Sequence, residues 1–329
     1  MRQGPASQQG VALIIVLMAF ALGSILAAGM MSRQDLMIQR ASSYLTQSRA
    51  QSLALGAEAF GRQILYRDVQ DSQNGTEGVD HRREQWARAA VAFPVDAGAI
   101  EAQINDLQGK LNLNSLVGQN GEVNSLSRER FEQLLIALDI RSLRVETLID
   151  WIDSNDQRTG AGGAEDGDYM ALDPPYRAAD QPFTHVSELR LMQGITDQDY
   201  EALRPHVAAL PTRQGTINVN FASAPVIQSL HERISRGQAE SVVAAAEEAA
   251  FESVEDFLAR REFSGLGLNN EGLGVTTSYF EIAARVSVSG SVHRLVSLVQ
   301  RNQQGDVVTL SRDSGRTGLI TKERIQASE

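Results

Sequence analysis

The chain has 329 residues, 42 % of them hydrophobic, with a net charge of −11 and an isoelectric point near 5.0. That acidity disfavours a nucleic-acid partner, because phosphate contacts need Lys and Arg. With no Cys, disulfides, thiolate nucleophiles and Cys-ligated zinc are excluded.

A polar leader, MRQGPASQQG, ends at Gly10, and from Val11 to Ser32 the chain runs twenty-two positions without a charge. At about 1.5 Å per residue this is roughly 33 Å of helix, enough to cross a bilayer core of about 30 Å. A secretory signal peptide would carry a basic n-region, an apolar core of about 7–15 residues and a small-x-small cleavage site. Here the apolar run is longer and helix-forming sequence continues beyond it. Arg2 is the single charge ahead of the run, so the positive-inside signal for a cytoplasmic N-terminus is weak.

From Ser32 to Leu55 there is neither Gly nor Pro, and Pro94 is the next proline after Pro5. Ile38, Ala41, Leu45, Leu53, Ala57, Phe60 and Ile64 recur at helical spacing, opposite Arg33, Gln34, Gln39, Arg40, Gln47, Arg49 and Gln51. One helix from Val11 to about Tyr66 is expected, membrane-embedded and then amphipathic, followed by a polar loop to Arg82. Alternation at Ile100, Ala102 and Ile104 and then at Leu111 and Leu113 reads as one or two short strands. Helices are expected over Ser127–Leu138, Leu143–Asp153, Ser187–Met192, Asp197–Ala209, Ala224–Arg236, Gln238–Ala250 and Ser253–Arg260. Ser127 and Thr196 read as N-terminal caps. Phe280 to Val288, Val292 to Val299 and Val307 to Leu310 form a three-strand antiparallel meander with a turn at Gly290-Ser291. A long helix with an antiparallel sheet at the far end of the chain gives an α+β fold, helix on sheet, with a large inserted α-helical domain.

The resulting division is a leader (1–10), a transmembrane helix (11–32) and the first part of the sheet domain (33–124). An inserted helical domain (125–211), a second helical segment (212–274), the C-terminal meander (275–312) and a disordered polar tail (313–329) follow.

Between Glu146 and Glu201 there are thirteen Asp or Glu against three Arg. The densest part holds Asp153, Asn155, Asp156, Glu165, Asp166 and Asp168 around the flexible segment TGAGGAEDGDY. Ca²⁺ takes about six to eight oxygen ligands, and Gly lets a loop turn them inward. The spacing is not that of an EF-hand, so the choice lies between a cation site and a solvated acidic loop. Bulky Trp151, Tyr169 and Tyr176 in so long a loop call for something that orders it. Enzyme readings find no support: the five His are scattered, and there is no G-x-S-x-G elbow, P-loop or H-E-x-x-H.

Seven segments carry a resemblance along the chain in order. They are ALGAEAF (Ala54 to Phe60), FPVDAGAI (Phe93 to Ile100), DLQGKLNLNSL (Asp106 to Leu116), LIDWIDSNDQ (Leu148 to Gln157), GAEDGDYMALDPPYR (Gly163 to Arg177), SELRLMQGI (Ser187 to Ile195) and INVNFASAPVI (Ile217 to Ile227). With the leader and the apolar helix, they resemble the K-type minor pseudopilins of type II secretion. The resemblance implies a pilin-like fold, prepilin peptidase cleavage between Gly10 and Val11 with N-methylation of Val11, and an inner-membrane anchor with the bulk of the chain periplasmic. It also implies calcium in the helical domain, I-type and J-type minor pseudopilins as tip partners, and H-type and major G-type pseudopilins below them. Most pilins carry Glu at the fifth mature position; here it is Ile15, and K-type members typically lack the Glu. A tip subunit has no neighbour above it to pair with such a charge, which is costly in an apolar setting.

Two other function classes stay open at this stage. SELRLMQGITDQDYEAL and INVNFASAPVIQSL resemble helix-hairpin-helix modules that grip nucleic acid, although Asp197 and Asp199 would repel phosphate; a sterile-alpha-motif-like packing unit is the better reading. The other is a secreted, soluble calcium-binding protein cut near Ala27-Ala28.

Overall fold

The computed structural model describes residues 9–73, 78–316 and 320–326; most of the leader and parts of the tail therefore lie outside the described residues. Helix α1 (Gln9–Gln73) is one continuous helix of 65 residues, about 98 Å long at 1.5 Å per residue. It extends past Tyr66 through a stretch expected to be loop. From Val11 to Arg49 none of its residues is buried against the rest of the molecule. The buried stripe is Ala50, Ala54, Ala57, Glu58, Gly61 and Leu65, a run of i, i+4, i+7 and i+8 steps. The expected stripe of larger residues is displaced: Ile38 and Leu45 are exposed. Small residues face the sheet because α1 lies close to it, and a Cβ on Gly61 would stand 3.0 Å from Ile282 Cγ2.

After the short helix α2 (Gln85–Arg88) come β1 (Ala90–Val95) and β2 (Gly98–Asp106). β1 is a strand the sequence reading did not anticipate. A two-residue strand, β3 (Leu111–Asn112), leads through a 3-10 turn into the helical unit. That unit holds α3 (Ser125–Ala137), α4 (Val145–Ile152), α5 (Asp166–Tyr169) and α6 (Asp197–Leu203), then the strands β4 (Val207–Ala208) and β5 (Ile217–Asn218). It closes with α7 (Ala224–Gln228), α8 (Arg236–Glu248), α9 (Val254–Leu258) and β6 (Leu273–Gly274). The segment expected as helix over 187–192 is 3-10, and the one over 224–236 stops at Gln228. Asn124, not Ser127, caps α3 by accepting from the Ser127 amide; Thr196 caps α6 as expected. One apolar core, including Phe131, Leu148, Trp151, Tyr169 and Phe257, runs from Leu111 to Phe263. The two helical segments read separately from the sequence therefore pack as one body.

The chain then returns as β7 (Tyr279–Val288), β8 (Ser291–Arg301), β9 (Val307–Asp313) and β10 (Arg324–Gln326). The sheet order is β10-β1-β2-β7-β8-β9, antiparallel throughout except for the parallel β10–β1 pair. Ser289 and Gly290, both at positive φ, make the tight β7–β8 turn. α1 covers one face of this sheet through Ala54, Ala57, Ala102, Ala284 and Val286. Glu58 locks the helix down: its oxygens accept from Ser297 Oγ (2.7 Å), Thr309 Oγ1 (2.7 Å) and Arg312 (2.6 and 2.9 Å).

The tail expected to be disordered is, where described, part of the sheet domain. Arg316 pairs with Glu281, Ile320 packs on Ala283 and Val296, and residues 324–326 extend the sheet. Its polar composition conceals this because its bonds are made mostly by the backbone.

Candidate functional site

Two regions offer themselves: the uncovered half of α1 and the acidic loop after α4. Along α1 the apolar side chains from Val11 to Met31 all face outward, with Phe20 and Met30 more than 70 % exposed. No other part of the described chain covers them, so they need lipid or another protein. Ile15 lies among them and touches nothing that would distinguish it. The Gly10–Val11 bond falls within the first turn of α1, which begins at Gln9. The exposed apolar surface continues beyond the uncharged run, through Leu36, Met37, Ile38, Tyr44 and Leu45.

In the acidic loop, Asp150 closes the last turn of α4 and is fully buried; Asp153 is the C-cap residue and Glu165 the N-cap residue of α5, both buried. Asp150 Oδ1 accepts from the Thr159 amide at 2.8 Å, and Asp153 Oδ1 from the Asn155 amide at 3.1 Å. Among the described residues, Asp150 Oδ2 and both Glu165 oxygens are buried without a hydrogen-bond partner. An orphaned buried carboxylate is costly. A Cβ at Gly163 would collide with Asp150 Oδ2, so only glycine lets the loop fold over that oxygen.

Burial, and then the charges of Asp150, Asp153, Asp180 and Asp156, push the Glu165 carboxyl up to about 7. Asp150 and Asp153 are raised as well, first by burial. Beneath the loop, Tyr169 packs edge-on against Trp151 (5.3 Å) and lies 5.4 Å from Tyr176, so an aromatic layer orders the segment from below.

Of the residues singled out in the sequence, Asp153 and Asp156 add their charge to the field on Glu165. Asn155 is exposed, and its Oδ1 accepts from the Gln157 amide at 2.9 Å. Asp166 and Asp168 are held elsewhere. Asp166 accepts from Arg177 and the Ala178 amide, and Asp168 from Arg158 and the Glu165 amide, so all four oxygens are occupied. Asp150 and Asp180 take their places in the electrostatic cluster. The donors are all oxygen and several lack protons to accept, a set that suits a hard cation such as Ca²⁺.

A second carboxylate group, Asp68, Asp80 and Glu84, also went unrecognised in the sequence. Arg301 bridges Asp68 (2.8 Å) and Asp80, and burial with the neighbouring Asp68 raises Glu84, so the Arg301 guanidinium links this group across α1, α2 and β8. The hairpin at Gly194 is likewise structural: a Cβ there would come within 2.7 Å of the Ser142 carbonyl, and Asp199 accepts from Ser142 Oγ at 2.5 Å.

Comparison with known proteins shows the family and the fold. Two models described as type II secretion system (T2SS), protein K, match residues 109–212 and 217–276. The type II secretion system protein K of Pseudomonas aeruginosa is 38 % identical over 97 % of this chain and 96 % of its own length. The chain belongs to the protein K family of the type II secretion system. Protein K of Klebsiella pneumoniae is 38 % identical over 65 % of this chain and 66 % of its own, and that of Pectobacterium carotovorum 33 % identical over 72 % and 74 %. The fold is shared with a chain of the GspK-GspI-GspJ complex of enterotoxigenic Escherichia coli, at a TM-score of 0.74 and 24 % identity, covering 84 % of this chain and all of that one. The family is a structural, pseudopilin component of secretion machinery, and its models span the helical unit with the acidic loop.

Proposed function

We propose that this chain sits at the tip of the periplasmic pseudopilus, where it primes assembly with I- and J-type minor pseudopilins and supports export of folded proteins across the outer membrane. One observation carries the reading. From Leu36 to Leu45, past the uncharged run, α1 keeps an exposed apolar surface that nothing in the chain covers. Outside a membrane such a surface calls for partner helices. The complex named for the structural relative, GspK with GspI and GspJ, supports the choice of partners. The chain is a single-pass inner-membrane protein, N-terminus cytoplasmic and bulk periplasmic, cut between Gly10 and Val11 by prepilin peptidase, with Val11 then methylated. Ile15 suits the top of the filament because it brings no charge needing a neighbour's amine.

Ca²⁺ belongs to this reading through the acidic loop. Asp150, Asp153, Asp156, Glu165 and Asp180 would hold it, and it would supply the positive charge that their crowded, partly orphaned oxygens lack. The protein itself carries out no chemistry.

Co-purification of the full chain with the I- and J-type subunits tests the assembly. Replacing Ile38 and Leu45 together by Asp is expected to abolish co-elution while leaving the far-UV circular dichroism unchanged. Unimpaired co-elution of that variant contradicts the proposed surface.

A further inference from the structure

The two edges of the six-stranded sheet are protected in different ways. The β9 edge carries Arg312 and Asp313, has a register irregularity at Leu298/Val299 on its partner strand, and has its Val307 carbonyl taken by Arg62 at 2.6 and 3.0 Å. Charges and bulges of this kind keep an edge from pairing with another chain. β1, AVAFPV, has no charge at all. Its Ala90 amide points outward and donates to the Glu323 carbonyl at 2.8 Å. Alternate residues of a strand direct their amides to the same side, so the outward set is Ala90, Ala92 and Pro94. Proline has no N–H. Just two outward donors remain, at Ala90 and Ala92, and β10 pairs with residues 90–92 and goes no further.

The approach to that edge is equally specific. Gln103, Ala283 and Val296 form one row across β2, β7 and β8 on the face away from α1, and all three are buried. Ile320 packs on Ala283 and Val296. Gln103 Oε1 accepts from the amides of Thr321 (2.9 Å) and Lys322 (3.1 Å), its Nε2 donates to Thr321 Oγ1 (3.2 Å), and Lys322 Nζ donates to the Ile104 carbonyl.

We infer that residues 320–326 form a guard strap that occupies the β1 edge and keeps this subunit single, and that a β1 edge stripped of the strap pairs with β1 of a second copy. A second copy is the fitting occupant because two uncharged β1 strands meet without repulsion and close a two-fold contact. This holds wherever the subunit sits in the assembly.

The test is the copy number per detergent micelle, by light scattering, for the full chain and for a chain stopped after Arg316. One copy is expected for the full chain and a concentration-dependent dimer for the shortened one, with Ala92→Lys returning the shortened chain to one copy. A folded, shortened chain that stays single overturns the inference, as does a dimer that Ala92→Lys leaves intact. Should the shortened chain fail to fold, Gln103→Ala in the full chain decides. Amide exchange at Ala90 and Ala92 is expected to rise about tenfold with β7 and β8 unchanged, and unaltered exchange there overturns the strap's role.

Discussion

Glu58 is a charged residue on the face of a helix, yet it is 2 % exposed and receives four hydrogen bonds from β8 and β9. Burial alone would raise its carboxyl, but the hydrogen bonds and charge of Arg312, with Thr309 and Ser297, hold it at about 2. Its stabilising contribution is therefore full above the unfolded carboxyl value near 4.5 and is lost as pH falls towards 2. Arg312 is half exposed and would return to water, so Glu58→Gln is expected to cost about 1–3 kcal/mol at neutral pH and much less near pH 2, measured by urea unfolding. Glu165 behaves with the opposite sign. Its carboxyl is raised to about 7, so without cation its stability contribution is present below about 4.5 and lost as pH rises through 7. In chelator the thermal midpoint is expected to fall across that window, millimolar Ca²⁺ to remove the fall, and Glu165→Gln to flatten it in chelator; an identical midpoint with and without Ca²⁺ would leave a cation-free loop. Acidic density in the sequence points to this loop but not to every carboxylate that gathers there. Asp150 reads as part of the apolar helix LIDWI, Asp180 stands fifteen residues beyond Glu165, and the first turn of α5 directs Asp166 and Asp168 to Arg177 and Arg158.

Among elements, α1 was the most legible, because an uncharged run followed by Gly- and Pro-free sequence has few alternatives. Its contact face was less so. Alanines carry a weak apolar signal, and a close helix–sheet approach selects them over the larger residues that the periodicity favours. The β7–β9 meander was plain from strict alternation and its turn. β1 was hidden by Pro94 within a short run, a residue that argues for loop until the strand is known to lie near the sheet edge. In the helical unit the sequence pattern marks helices in about the right place but with the wrong length, since 3-10 turns and two-residue strands depend on tertiary contacts. At the start of α1 the proposed processing site is open to a direct test. Gly10→Val is expected to leave the protein about ten residues longer in membranes containing prepilin peptidase, seen by intact mass, whereas normal maturation of that variant would contradict cleavage after Gly10.

In the whole molecule, a membrane-length helix carries a small sheet and, on one side, a helical body with its own large core. Asp80 ties the two together: its amide donates to Val275, its carboxylate accepts from Thr277 and Arg301, and its carbonyl accepts from Asn218. Buried polar links of this number make a rigid joint, so the helical body stays fixed relative to α1, and in the proposed tip placement it would stand in the way of a subunit stacked above it. An α+β architecture of helix on sheet with a helical insertion followed from the order of patterns along the chain, but the joint did not, because its partners are more than a hundred residues apart. The most direct measurement of the tip placement is gold labelling of an epitope-tagged full chain on purified pseudopili viewed by electron microscopy. Label confined to one end of each filament is the expected result, and label spaced along the shaft would contradict it.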